Sequence, residues 1–81
     1  MTVVLREGTI HLEGTCTAGD AEELLQLLLA DANACVDYRT CDAAHGAVVQ
    51  VLLAAGRRIV GPPRGAGLAA IVAPALSRGR E

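Results

Sequence analysis

The alternation of apolar and polar side chains starts at the amino terminus. Residues 2–6 are β-branched and aliphatic, which favours a strand. Glu7-Gly8 supplies a turn that tolerates positive φ. Residues 9–13 then alternate, with Ile10 and Leu12 on one face and Thr9, His11 and Glu13 on the other. That pattern predicts the second arm of a hairpin, ending at Gly14. Thr17 to Asp20 offers hydroxyl and carboxylate groups to first-turn amides. Ala21, Leu24, Leu25 and Leu28 follow at helical spacing, and the helix is expected to end near residues 31–33. Leu27 and Leu29 widen its apolar face beyond one stripe, so part of that face is expected in solvent.

Residues 34–38 form a short apolar run that reads as a buried strand. Residues 39–42 read as a loop, with Asp42 as a helix cap. Val48, Val51, Leu52 and Ala55 predict a second helix over 43–55, and Gly56 stops it. Residues 57–60 are a brief strand, and Gly61-Pro62-Pro63-Arg64-Gly65 is a break. Residues 68–76 predict a last helix, bent or shortened by Pro74. Residues 77–81 read as a loose tail. The order ββαβαβα over a single domain, 1–81, predicts an α/β fold: a small mixed β-sheet with helices packed on it.

Composition narrows the function. The chain has 81 residues, 52% of them hydrophobic, and one aromatic residue, Tyr38. Its 7 basic residues are all arginine and face 9 acidic ones, for a net charge of −2. Nucleic-acid binding draws on a basic face and stacking aromatics, and neither is visible. No apolar run is long enough to span a membrane, and no signal peptide is visible. Three cysteines without framework spacing read as reduced thiols in a cytoplasmic protein. An apolar surplus in so small a chain is expected to reach the surface, where it needs a partner or a lid.

Across Val36-Asp37-Tyr38 and the helix residues Val49 and Val51-Leu52-Leu53, the chain resembles the STAS family. That family comprises sulfate-transporter cytoplasmic domains and anti-sigma-factor antagonists. Its signature strand reads V-D-L-S-G-V, and D-S-S/T-G-L-G-V-L-L opens the helix that follows. The hairpin and the leucine-rich helix match the family's element order over about residues 2–76, and the motif itself covers 36–53. The resemblance implies a non-enzymatic bacterial signalling or regulatory module without a cofactor. Its partner would be a kinase-like anti-sigma factor or another signalling protein, docking through Arg39, Thr40, Asp42, His45, Gly46, Ala47 and Val49, with homo-oligomers also possible. The family's D-S-S/T-G is replaced here by His45-Gly46-Ala47-Val48. Gly46 and Ala47 lack a hydroxyl, so the usual Ser/Thr phosphorylation switch is not expected, and Thr40 is the nearest hydroxyl. The chain ends before the family's last strand and helix, which would leave an edge or helix face uncovered.

Other motifs point elsewhere. Gly65-Ala66-Gly67-Leu68-Ala69-Ala70 fits the dinucleotide spacing G-x-G-x-x-A, yet the fingerprint needs a later strand and an acidic residue about 20 positions on. Cys41 and His45, four apart, could share a helix face as a nucleophilic pair. With Cys16, Cys35 or His11 they could ligate zinc, but no C-x-x-C is present, so no metal is expected. Arg57 and Arg58 are placed to satisfy the carbonyls ending the second helix, or with Arg64 to form a small anion patch. The alternative function is therefore a small ligand- or anion-binding regulatory domain.

Overall fold

A computed structural model describes residues 2–78. Strands β1 (Val3–Arg6) and β2 (Thr9–Cys16) pair antiparallel, from Val3 opposite Leu12 to Arg6 opposite Thr9. Glu7 and Gly8, at φ 51° and 78°, form the connecting turn. Two consecutive residues at positive φ give a turn whose twist matches that of the strands. β2 does not stop at Gly14 as expected. Gly14 takes φ 71° and the strand runs on to Cys16.

Helix α1 (Ala18–Ala30) follows. The Asp20 carboxylate accepts from the Thr17 backbone N–H at 2.7 Å and from its hydroxyl at 3.2 Å, which fixes the first turn. At the other end Arg57 donates to the carbonyls of Leu28 (2.7 Å), Asp31 and Ala34 (both 2.9 Å). Arg57 thus closes α1 and the turn after it, rather than the second helix as expected. Its neighbours in sequence follow α2, but the parallel sheet brings the end of α1 beside it.

Strand β3 (Cys35–Ala44) is twice the length expected from the apolar run, and the predicted loop 39–42 lies inside it. Its 10 residues run parallel to the 8 of β2 through two register shifts. Pairing moves from His11 opposite Asp37 to Glu13 opposite Thr40, then from Gly14 opposite Cys41 to Thr15 opposite Ala43. Each shift adds one residue to β3 and turns the following side chains over. Cys41 rather than Thr40 therefore enters the core, and Asp42 is thrown out of register. Asp42 is not a helix cap. His45 caps α2 (Gly46–Ala55), its Nδ1 accepting from the Ala47 N–H at 3.0 Å. Gly56, at φ 61°, ends the helix.

Strand β4 is only Ile59–Val60, parallel to β3 at Val36 and Asp37. The chain then runs beside β3, where the Gly65 N–H donates to the Cys41 carbonyl at 3.0 Å. A Cβ on Gly65 would overlap the Asp42 carbonyl, so the close approach requires glycine. The last helix begins at Ala66 and widens into a π turn over Leu68–Val72, where the Ala73 N–H reaches back five residues to the Leu68 carbonyl. It continues as α3 (Ala73–Arg78). Widening the turn before Pro74 accommodates a residue that lacks an N–H, so the helix is not shortened there and continues to Arg78. Of the expected tail, positions 77 and 78 belong to α3, and 79–81 lie outside the described residues.

The sheet order is β1-β2-β3-β4, a four-stranded mixed sheet with helices packed on it, as the α/β pattern predicted. One core joins Val3, Ile10, Leu12, Cys16, Val36, Tyr38 and Cys41 of the sheet to Leu24 and Leu28 of α1, Val48 and Leu52 of α2, and Leu68 and Leu76. No helix among the described residues is long and apolar enough to cross a membrane.

Gly65→Ala should lose about 1–3 kcal/mol in urea unfolding, because its new methyl meets backbone that cannot yield cheaply. Gly46→Ala, at a position with open space around it, should be neutral or gain up to about 1 kcal/mol.

Candidate functional site

The seven residues assigned to partner docking by resemblance run from the middle of β3 into the first turn of α2. Arg39 lies on the face of the sheet opposite the helices. Thr40 is exposed, with Oγ1 3.4 Å from the Leu12 carbonyl. Asp42 pairs with Arg64 at 2.6 and 2.8 Å, and Arg64 also donates to the Thr40 carbonyl at 3.2 Å. His45 and Gly46 are exposed in the first turn of α2, while Ala47 and Val49 are half-buried.

The thiol chemistry does not assemble. Cys41 is buried in β3 with Sγ 4.0 Å from that of Cys16, and His45 is exposed with Nδ1 engaged by α2. Burial, reinforced by Cys41, pushes the Cys16 thiol up to about 12, and burial also raises that of Cys41. Neither supplies thiolate at neutral pH. Cys35 lies across from Thr9, Sγ to Oγ1 3.4 Å, on the other face beside His11. No group of three His, Cys, Asp or Glu among the described residues is arranged to hold a metal ion. The glycine motif is also structural. Gly65 is pressed against Asp42, and its amide is engaged by Cys41 rather than open to a phosphate. The three arginines do not converge into an anion patch, since Arg57 closes α1 and Arg64 holds Asp42.

The bare face of the sheet carries ionic pairs. Asp37 is only 7% exposed. Arg39 grips its carboxylate at 2.7–3.2 Å through Nε and Nη2, and the Arg39 N–H adds a bond of 3.0 Å. His11 Nδ1 stands 3.8 Å away. Hydrogen bonding from Arg39 holds the Asp37 carboxyl below its ordinary value against the opposing effect of burial. Arg6 and Glu13 pair nearby at 2.9 Å. These groups satisfy one another and make a polar cover for the strands.

Two concavities among the described residues bear on function. A hollow of about 370 Å³ lies at the carboxyl ends of β2 and β3, bordered by Thr15, Thr17, Ala43 and His45. The starts of α1 and α2 both flank it, but first-turn positions are already held by Asp20 and His45. A larger groove of about 760 Å³ runs between α1 and α2. Leu25, Leu28, Leu29, Val51, Ala54 and Ala55 line it, with Glu22 about one turn in from its amino-terminal end, beyond Ala18 and Ala21, and Arg57 towards its carboxyl-terminal end. Leu29 is 74% exposed and Leu25 42%. Leu53, on α2, is 47% exposed. α2 has no charged residue on any face, and Gln50 is its one polar side chain. A helix apolar all round is ordinarily enclosed. The widened leucine face of α1 was legible as a surplus in sequence. The uncharged run 46–55 was the signal that α2 forms the other wall.

No protein-family model, curated protein or solved structure matches this chain.

Two measurements check the chemistry above. Brief alkylation of the folded protein should modify Cys35 alone, with Cys16 and Cys41 reacting only in denaturant; native modification of either buried thiol contradicts the assignment. The Asp37–Arg39 pair should contribute stability above the free carboxylate value of about 4 and lose it as pH falls through the lower folded-state value. Asp37→Asn should therefore be about 1–2 kcal/mol less stable than the parent at neutral pH. The gap should close in acid, as read from urea melts at about pH 7 and pH 2.

Proposed function

We propose that this chain is a STAS-like protein–protein interaction module in bacterial signalling or transcriptional regulation. It acts in the cytoplasm, without catalysis and without the family's phosphorylation switch. The observation that carries the reading is the apolar groove between α1 and α2, walled on one side by a helix with no charge. Leu25 and Leu29, two of the four exposed large hydrophobics among the described residues, lie in this channel, while Leu5 and Leu53 lie outside it. An extended apolar channel favours a protein partner over a small solute, because a partner buries all of it at once. Of the docking segment implied by the STAS resemblance, Ala47 lines this groove, and His45 and Gly46 precede it in α2 and its cap. The replacement of hydroxyl residues by Gly46 and Ala47 supports docking that is governed by shape and concentration rather than by added phosphate.

The small-ligand alternative rests on the hollow at the strand ends. It is less favoured because Asp20 places a carboxylate at the helix start that an anion would approach.

A photo-crosslinking amino acid at position 29 should give a defined adduct with one protein, identified by mass spectrometry. The same probe at position 6, on the bare sheet face, should not. Leu29→Glu should then abolish binding of that purified protein while leaving the far-ultraviolet circular-dichroism spectrum unchanged. Absence of an adduct at 29, or equal yield at 6, overturns the reading.

A further inference from the structure

We infer that the occupant of the α1–α2 groove is a second copy of this chain, packed about a two-fold axis that runs antiparallel helix layers against each other. The inference rests on the proposal that this face docks protein, and names the partner. Its basis is the way charge is distributed along the groove. β2, β3 and β4 are parallel, so α1 and α2, the returns between them, run in the same direction side by side. Glu22 stands near the amino-terminal end of the channel and Arg57 at the carboxyl-terminal end. The space between them is lined by leucine, valine and alanine, with Gln26 and Gln50 as its uncharged polar groups.

Neither charge is neutralised within the described residues. Arg57 bonds three backbone carbonyls, all uncharged, and makes no ion pair. Glu22 has no cationic partner among the described residues. A single-sign rim would select a partner of opposite charge. A rim that is negative at one end and positive at the other is complementary to itself once reversed, and a two-fold axis performs that reversal. Glu22 of each copy then approaches Arg57 of the other, while Leu25 and Leu29 enter the partner's channel near the axis. Reversal also sets the amino-terminal ends of one helix pair beside the carboxyl-terminal ends of the other, which aligns their dipoles favourably.

The size is sufficient. Two adjacent helices, α1 being 13 residues long, present a face of roughly 20 Å by 20 Å. Side-chain relief raises its accessible area to roughly 600–800 Å², about one partner's share of a standard interface. His45 and Gly46 stay at the perimeter of such a dimer.

Light scattering coupled to gel filtration tests this on the full chain. At about 100 µM the protein should run at twice its 8.3 kDa monomer mass. Leu29→Glu, at a side chain already largely in solvent, should give a monomer with an unchanged far-ultraviolet circular-dichroism spectrum and a melting temperature that no longer rises with concentration. Glu22→Arg sets two cations together at both ends of the interface and should weaken the dimer about tenfold, and Glu22→Gln should weaken it less. A monomeric parent at that concentration overturns the inference. So does a dimer untouched by Leu29→Glu, or one that Leu29→Glu breaks and Glu22→Arg leaves intact. A monomeric parent that still crosslinks from position 29 to a different protein rejects the second copy and keeps the docking face. A parent with neither dimer nor adduct rejects both.

Discussion

The strands lie in the sheet in the same order as in the chain, and most of the molecule follows from that. After the hairpin, each new strand joins the growing edge parallel to the last, so both crossovers advance in one direction. Crossovers of one hand then deliver both helices to the same side. One face of the sheet is buried beneath α1 and α2, and among the described residues no helix covers the other. The core is accordingly one-sided. Ile10, Leu12, Val36 and Tyr38 point into it, and His11, Glu13, Asp37 and Arg39 point away.

That bare face explains how the arginines are used. A strand pair open to solvent needs polar side chains, and a carboxylate as enclosed as Asp37 needs a cation with donors in a fork. Arg39 supplies it, and Arg6 answers Glu13 nearby. Arg57 closes α1, and Arg64 ties the bulge residue Asp42 to the segment that brings Gly65 against β3. Four arginines thus each complete a structural contact. Three of them are paired with carboxylates and the fourth is spent on carbonyls, which accounts physically for why a chain with seven cations has no basic stripe among its described residues.

The hairpin, α1 and α2 were legible because their periodicity is uninterrupted and their ends carry recognisable groups, Glu7-Gly8, Thr17 with Asp20, and Gly56. β3 was not, because each bulge reverses the alternation. Residues 39–42 looked like a polar loop when they were a strand turning over twice, and Asp42 looked like a cap when it was the residue the second bulge expels. The role of Arg57 was hidden for a different reason. Its acceptors at Leu28, Asp31 and Ala34 lie more than twenty positions away and become neighbours only when the parallel sheet forms. The groove was half legible. Leu29 announced an apolar face on α1, whereas its pairing with an uncharged α2 required knowing that the two helices lie side by side.

An uncharged α2 is the harder fact to reconcile with an isolated monomer. Val48 and Leu52 suffice to seat it on the sheet, and charged residues at outward positions would cost the core nothing. Instead those positions hold Leu53 and Ala54, and the neighbouring ridge of α1 holds Leu25 and Leu29. Covering such leucines is worth roughly 25 cal/mol per Å² of apolar surface. Burial alone has no direction and would tolerate sliding or misorientation of whatever covers the groove. Two fixed charges at opposite ends supply the missing orientation, since only the reversed alignment brings unlike charges together at both ends at once. On this view the apolar channel provides the affinity, Glu22 and Arg57 provide the alignment, and an α2 start without a phosphoacceptor leaves concentration as the variable that sets occupancy.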